Sequence, residues 1–202
     1  MISAVILAAG RSQRMGSPKL LLDLSGRTLL HRVVENTRAS RCEEIVIVLG
    51  AEAERVQAEA QGPGVRFVTN ERYGEGMGGS LAVGIGALAP SCEAAVVLLG
   101  DQPFVGPAAI DALIAAYRQT GKPIVASRYG KVTGAPTLIG RRLFLEARGL
   151  EGDMGGRSLM RRYPELVVEV PLPDAVAVDV DTPQDLERAE AVLRGGSSAP
   201  RS

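Results

Sequence analysis

Short apolar runs alternate with amphipathic segments along most of the chain, and this alternation restricts the possible folds more than any other feature of the sequence. The apolar runs are continuous, as in strands buried on both faces, and the segments between them have helical periodicity. Strands are predicted at 2–7, 45–49, 65–69, 94–99 and 124–127, and helices at 28–39, 52–60, 79–88 and 107–117. The pattern therefore predicts βαβ units and a mainly parallel sheet with helices on both faces.

The pattern loosens after Tyr129. A short strand outside the simple alternation is predicted at 137–139, helices at 141–147 and 157–163, and extended segments at 167–170 and 176–178. A Thr-Pro-x-Asp signal predicts that a last helix begins near Pro183 and covers 183–193. We expect one domain over residues 1–194 and a disordered tail at 195–202, because the tail is rich in glycine and serine.

Charge and cysteine content exclude several classes of protein. The chain has 202 residues, and 23 lysines and arginines balance 23 aspartates and glutamates. A net charge of zero argues against binding to nucleic acid or to an anionic membrane surface, so any cationic site must be local. Cys42 and Cys92 stand alone, as free thiols do in a reducing compartment. The first residues have neither a basic segment nor a long apolar one, so we expect a cytoplasmic location.

The first strand leads directly into a loop that is rich in small and cationic residues, GRSQRMGSPK. The spacing fails the P-loop pattern, because Gly10 and Gly16 are one residue too far apart and Lys19 is not adjacent to Gly16. The dinucleotide pattern fails because residue 12 is serine. Small residues that expose backbone N–H groups, together with nearby cations, still form a cradle for a polyphosphate.

Acidic and polar residues follow other predicted strands. Asp101 comes directly after the run at 94–99, where a carboxylate is well placed to hold Mg²⁺ against a phosphate, although it could also form a turn. Asp179 and Asp181 would share one face if that segment were a strand. Asn70 also follows a strand, and Ser80 either contacts a ligand or caps a helix.

The loop after the first strand resembles that of the MobA-like NTP transferases, which include molybdenum-cofactor guanylyl- and cytidylyltransferases. Their pattern is L-A-[AG]-G-x-S-x-R-M-G-x-x-K, and this chain matches it at every fixed position. The resemblance implies a single Rossmann-like nucleotidyltransferase domain and a loop that wraps an NTP triphosphate. It implies catalytic charges on Arg14 and Lys19, and contacts from Leu7, Ala8, Ala9, Gly10, Arg11, Ser12 and Gly16.

Three further motifs match the same family. G-D-Q-P and the aspartate before Thr-Pro imply that Asp101 and Asp181 bind Mg²⁺, whereas Asp179 is expected to hydrogen-bond locally and Asp185 to support the last helix. The pattern N-x-x-[WY]-x-x-G-M-x-x-S implies base or ribose contacts from Asn70, Gly79 and Ser80. The pattern G-D-x-G-[AG]-R implies that Asp153 and Arg157 lie on the side of the second substrate.

Residues 9 and 135 bear on which nucleotide base and which acceptor substrate the resemblance implies. The sequence L-A-A-G resembles the cytidylyl branch and L-A-G-G the guanylyl branch, so Ala9 favours CTP, with a molybdopterin-type cofactor as acceptor. Ala135 stands where many cytidylyl relatives have histidine, which leaves the acceptor open. A guanylyltransferase or another small-phosphate nucleotidyltransferase, a dinucleotide-binding oxidoreductase, and a non-catalytic chaperone that serves a molybdenum enzyme or its maturation factor remain alternatives.

Overall fold

The computed structural model describes residues 1–10, 18–153, 155–177 and 179–196. A seven-stranded sheet has the order β3-β2-β1-β4-β6-β5-β7. The strands are β1 (Ile2–Ala8), β2 (Glu44–Leu49), β3 (Val65–Thr69), β4 (Ala94–Leu99), β5 (Ile124–Tyr129), β6 (Val132–Gly140) and β7 (Val167–Pro171). The α-helices are α1 (Leu29–Arg38), α2 (Ala53–Ala60), α3 (Met77–Gly86), α4 (Pro107–Thr120), α5 (Phe144–Arg148), α6 (Gly156–Arg162) and α7 (Pro183–Gly196).

The sheet is mainly parallel, as predicted. β1 pairs in parallel with β2 and β4, β2 with β3, and β5 with β7. β6 runs antiparallel to both β4 and β5, which confirms that the strand predicted at 137–139 lies outside the simple alternation. After β3 the chain crosses over β1 to form β4, so the connections part at the carboxyl ends of β1 and β4. Such a point is where open α/β sheets bind ligands.

Helices cover both faces of the sheet, and each face has an apolar core. Helices α1, α2 and α4 pack on one face, where alternate residues of β1 such as Ala4 and Ile6 are buried. Helices α3, α5 and α6 pack on the other face, against Val5 of β1 and Val48 of β2. No helix within the described ranges is long and apolar enough to cross a membrane. Cys42 and Cys92 are free thiols, as predicted.

The last third of the chain differs from the prediction between residues 174 and 181 and again at the end of the last helix. The segment 176–178 was expected to be extended, but Asp174–Ala177 is a 3-10 helix and residue 178 lies outside the described ranges. The turn begins at Pro173, whose carbonyl accepts the N–H of Val176 at 3.0 Å. Asp179 and Asp181 do not lie on a strand, so the face-sharing argument does not apply to them. Helix α7 includes the first two residues of the predicted tail, and residues 197–202 lie outside the described part.

Helix α3 lies so close to the sheet that one of its glycines is required. A Cβ atom at Gly84 would lie 2.5 Å from Val5 Cγ1 and 2.9 Å from Val48 Cγ2, both on buried strands. We therefore expect Gly84→Ala to lower the free energy of unfolding by about 1–3 kcal/mol, the usual cost of overpacking a core. Chemical denaturation measures the change.

Gly86 supplies a matched control on the same helix, because a Cβ atom there would meet no other atom within 4 Å. Gly86→Ala is expected to leave stability unchanged or to raise it slightly, since alanine is the better helix former. Equal losses of stability in both variants would contradict the close packing at Gly84.

Candidate active site

A cavity of about 530 Å³ opens where the connections part, at the carboxyl ends of β1 and β4. Eight of the residues predicted to bind substrate or metal line it: Leu7, Ala8, Ala9, Gly10, Lys19, Ser80, Asp101 and Asp153. The sequence analysis did not assign a role to six others: Leu20, Tyr73, Gly74, Gly76, Met77 and Leu99. Tyr73, Gly76 and Met77 are fixed positions of a motif that was recognised, so that motif carried the signal that could have found them.

Lys19 connects two carboxylates that are far apart in the sequence. Its Nζ atom donates to Asp101 Oδ2 at 2.5 Å and to Asp181 Oδ1 at 2.6 Å. Lys19 lies in the 3-10 turn Lys19–Leu21, which Leu20 anchors by packing in the core. Burial alone lowers the pKa of Lys19, but the two carboxylates outweigh burial and raise this pKa above its usual value. The side chain is therefore a full positive charge at neutral pH.

The two carboxylates fit a divalent metal ion. They already hold one cation, the Lys19 ammonium group, between an oxygen atom of each. Mg²⁺ in nucleotide sites is commonly bound by one or two carboxylates, with phosphate oxygens and water completing its shell. No group of three or more histidine, cysteine, aspartate or glutamate side chains converges within the described ranges. The donor set thus suits an ion that arrives with a polyphosphate, and such an ion would supply charge neutralisation.

A second bond ties together the segments that carry these carboxylates. Gln102 Nε2 donates to Asp179 Oδ1 at 2.7 Å, and the Val180 N–H donates to the Asp101 carbonyl at 3.3 Å. Partial burial, together with the negative charges of Asp101 and Asp181, raises the pKa of Asp179. Asp179 therefore does hydrogen-bond, as predicted, but with a residue 77 positions away rather than a local one.

Asp185 supports the N-terminus of α7, as predicted. It accepts the Thr182 N–H at 2.9 Å and the Thr182 hydroxyl at 2.7 Å. The hydrogen bond from that hydroxyl is the main reason why the pKa of Asp185 is lowered. The bonds hold the residue directly after Asp181, and they place the start of α7 beside the candidate metal ligands.

Asn70, Gly79 and Ser80 are placed differently from one another. Ser80 lines the first cavity, at the carboxyl ends of β1 and β4, whereas Asn70 and Gly79 line a separate cavity of about 880 Å³ beside α3. Asn70 is buried and donates through Nδ2 to Ser80 Oγ at 3.0 Å. Since α3 begins at Met77, Ser80 is not its N-terminal cap. Asn70 thus contacts two residues that line the first cavity, Ser80 and Tyr73, whose N–H donates to the Asn70 carbonyl at 3.3 Å.

A smaller cavity of about 210 Å³ adjoins the first one and shares Leu7, Met77, Leu99 and Asp153 with it. Its volume is below the range of whole-ligand pockets, so it suits one part of a ligand. Arg157, Asp179 and Ala135 line it as well, together with apolar side chains. Asp153 and Arg157 are therefore brought together on one side of the site.

The start of α3 is pressed against the loop that carries Asp153. Gly78 N–H donates to the Gly152 carbonyl at 2.7 Å. Gly76 has a φ of +113°, and a Cβ atom there would lie 2.4 Å from the Gly152 carbonyl carbon. A glycine is needed at position 76 for both reasons, and this contact fixes the two cavities relative to each other.

Arg11, Ser12, Arg14 and Gly16, which were predicted to contact the triphosphate, lie outside the described residues.

The comparison with protein families decides which proteins this chain is related to. The MobA-like NTP transferase domain matches residues 4–167. The chain belongs to this family. The MobA-like domain thus includes most of β1, all of β4 and the loop that carries Asp153, whereas Asp181 follows the matched region.

Solved structures agree with this assignment. Rv0371c from Mycobacterium tuberculosis H37Rv is 33% identical, with a TM-score of 0.83 over 94% of this chain and 97% of that one. A structure of Rv0371c was also determined in complex with manganese. A nucleotidyl transferase from Methanothermobacter thermautotroptrophicus is 26% identical, with a TM-score of 0.83 over 96% of this chain and 99% of that one. The chain is a nucleotidyltransferase of the MobA-like family.

One curated relative has a name that points to different chemistry. It is the nicotine blue oxidoreductase of Paenarthrobacter nicotinovorans, which is 34% identical over 200 residues. The similarity covers 93% of this chain and 95% of the relative. Membership of the family therefore does not by itself fix the substrates.

Proposed function

We propose that this MobA-like nucleotidyltransferase moves CMP from CTP to a molybdopterin-type cofactor and releases pyrophosphate. The observation that carries the proposal is the Lys19–Asp101–Asp181 centre at the parting of β1 and β4. A lysine and two carboxylates at the end of a glycine-containing loop suit a metal-bound triphosphate better than a neutral ligand.

The reaction requires positioning more than acid–base catalysis. A phosphate oxygen of the acceptor forms a bond to the α-phosphorus of CTP, and the bond from that phosphorus to the β-phosphate oxygen breaks. The electron pair leaves with pyrophosphate, so no covalent enzyme intermediate is needed. Lys19 would hold the β- and γ-phosphates and compensate the charge of the leaving group. Mg²⁺ bound by Asp101 and Asp181 would supply further charge neutralisation.

The acceptor is assigned to the smaller cavity. That cavity adjoins the cavity of about 530 Å³ in which CTP would bind, the nucleotide cavity. It combines an apolar wall with Arg157, Asp153 and Asp179. A guanidinium group suits a phosphate, and carboxylates suit the N–H donors of a heteroaromatic ring. A molybdopterin-type cofactor has both features. Ala135 lines this cavity where many relatives have histidine, so its methyl group leaves more room for the acceptor there.

CTP is expected to be preferred over GTP, and Ala9→Gly is expected to weaken this preference. Ala9 lines the nucleotide cavity, although the residue is only 3% exposed. It lies against Gly50, where an added Cβ atom would be 2.8 Å from the Cβ atoms of both Ala9 and Tyr73. Replacing Ala9 with glycine enlarges the cavity by about one methyl group. The preference for CTP over GTP is therefore expected to change by at most about 1–3 kcal/mol. The measurement is kcat/KM for CTP, GTP and ATP in both proteins at a fixed acceptor concentration.

Two results would contradict these expectations, one about the base and one about Ala9. A preference of the wild type for GTP would make the protein a guanylyltransferase while leaving the metal centre as proposed. An unchanged ratio in Ala9→Gly would show that another part of the cavity, such as the wall at Ser80, selects the base.

The decisive test of the reaction is a panel of NTPs incubated with molybdopterin and Mg²⁺, with detection of pyrophosphate and of the dinucleotide product. Pyrophosphate that forms only when CTP and molybdopterin are both present supports the proposal. Binding of the cofactor without pyrophosphate release would instead identify a non-catalytic chaperone.

A second candidate activity is hydride transfer, which the name of the Paenarthrobacter relative raises. The loop after the first strand lacks the G-x-G-x-x-G pattern that dinucleotide-binding folds use there. Gly74, Gly76 and Gly79 have this spacing, but they follow the third strand. The test is oxidation of NADH or NADPH by the purified protein in the presence of a quinone-like dye. Cofactor oxidation that persists in Asp101→Asn, together with no pyrophosphate release in the NTP panel, would favour the oxidoreductase.

A further inference from the structure

The Lys19 ammonium group occupies the space between the two carboxylates that would hold a metal ion. Its Nζ atom is 2.5 Å from Asp101 Oδ2 and 2.6 Å from Asp181 Oδ1. The Lys19 and Asp101 side chains are 16% and 19% exposed, so water screens their interaction only in part. Both contacts are charge-assisted hydrogen bonds, which are about twice as strong as neutral ones.

We propose that Lys19 and a divalent metal ion compete for the Asp101–Asp181 pair, and that the triphosphate of the nucleotide relieves this competition by taking Lys19 as its own partner. The inference rests on the proposed function, since it takes these two carboxylates as the metal ligands. It adds a second role for Lys19, which is to make metal binding depend on the nucleotide.

The reason is that two cations cannot occupy the same gap. Mg²⁺ binds carboxylate oxygens at about 2.0–2.1 Å, so an ion bridging the pair would lie within contact distance of the ammonium group. The ion must therefore displace Lys19 and break both of its hydrogen bonds. When a triphosphate is bound, its oxygens offer Lys19 replacement partners, and the displacement costs far less. By linkage, metal and nucleotide then strengthen each other's binding.

The local backbone allows this exchange without a larger rearrangement. Lys19 begins a 3-10 turn whose next residue, Leu20, is buried in the core. The Lys19 carbonyl accepts the N–H of Leu22 at 3.1 Å, so the backbone of the turn is held at both ends. Only the side chain has to move between the carboxylates and a phosphate group in the cavity that Lys19 lines.

The test is the affinity of the nucleotide-free, full-length protein for Mn²⁺, measured from the electron paramagnetic resonance signal of the free ion. Lys19→Met is expected to bind Mn²⁺ about tenfold more tightly than the wild type, because no ammonium group has to be displaced. Lys19→Arg keeps the charge and is expected to show no such gain. Arg157→Met, which removes a cation from the adjoining cavity, is expected to bind Mn²⁺ like the wild type.

Asp101→Asn, alone and combined with Lys19→Met, separates the two possible failures. If Lys19→Met binds Mn²⁺ no more tightly than the wild type, while Asp101→Asn lowers the affinity, the competition is wrong and the metal assignment stands. If the double variant keeps the tightened binding, the ion lies elsewhere, and both the competition and the metal assignment are overturned. An equal gain in Arg157→Met would reduce the effect to general charge and would also overturn the competition.

Discussion

Asp101→Asn is expected to lower kcat/KM for nucleotidyl transfer by about 10³-fold while the protein remains folded. Asparagine keeps the shape of the side chain but removes the charge that pairs with Lys19 and that would hold the metal ion. A carboxylate beside a triphosphate is repulsive unless a cation lies between them, so its presence at this strand end is best explained by such a cation. The measurement is pyrophosphate release at saturating Mg²⁺, together with the thermal unfolding midpoint.

Asp111→Asn is a matched control for this variant. Asp111 is a partly exposed carboxylate on α4 that also takes part in an ion pair, 3.5 Å from Arg41. Its replacement is expected to leave kcat/KM unchanged, since it lies in neither cavity. Full activity of Asp101→Asn in Mg²⁺ would exclude Asp101 as a metal ligand.

Much of the fold could be predicted because several of its strands are mainly apolar runs. The bounds of β3 and β4 match the prediction at both ends, since the residues on either side of these runs are polar or small. Helix ends were less certain: α4 continues to Thr120, where Gly121 in a left-handed conformation ends it. The segment 176–178 was mispredicted because two valines suggested a strand, whereas the preceding Pro173 and Asp174 favour a turn.

The candidate site was predictable where it depends on strand ends, and not where it depends on contacts between distant segments. Lys19 and Asp101 were both predicted to serve one nucleotide site, since ligands of such sheets bind at the carboxyl ends of strands, but their direct ion pair was not predicted. The bond from Gln102 to Asp179 joins residues from the β4 loop and from the segment before α7, and no local pattern predicts such a pairing. Asn70 and Ser80 line different cavities although they are hydrogen-bonded to each other, and this placement likewise depends on how helix α3 packs.

The second large effect expected concerns Lys19, whose charge has no substitute in the described part of the nucleotide cavity. Among the described residues that line this cavity, Lys19 is the one basic side chain. Negative charge builds up on the β-phosphate oxygen as its bond to the α-phosphorus breaks. A fixed positive charge at that point stabilises the transition state more than the bound substrate, so its loss lowers kcat as well as raising KM.

Lys19→Ala is therefore expected to cost about 2–4 kcal/mol of transition-state stabilisation, a fall of about 30- to 1,000-fold in kcat/KM. Lys122→Ala is the control, because Lys122 is bonded to the Glu165 carbonyl at 2.6 Å, away from both cavities. Steady-state kinetics with CTP at saturating Mg²⁺ give the two values. An unchanged kcat/KM in Lys19→Ala would mean that the loop does not hold the triphosphate through this lysine. A loss confined to KM would mean that Lys19 binds CTP and its transition state equally well, and that the charge of the leaving pyrophosphate is compensated elsewhere.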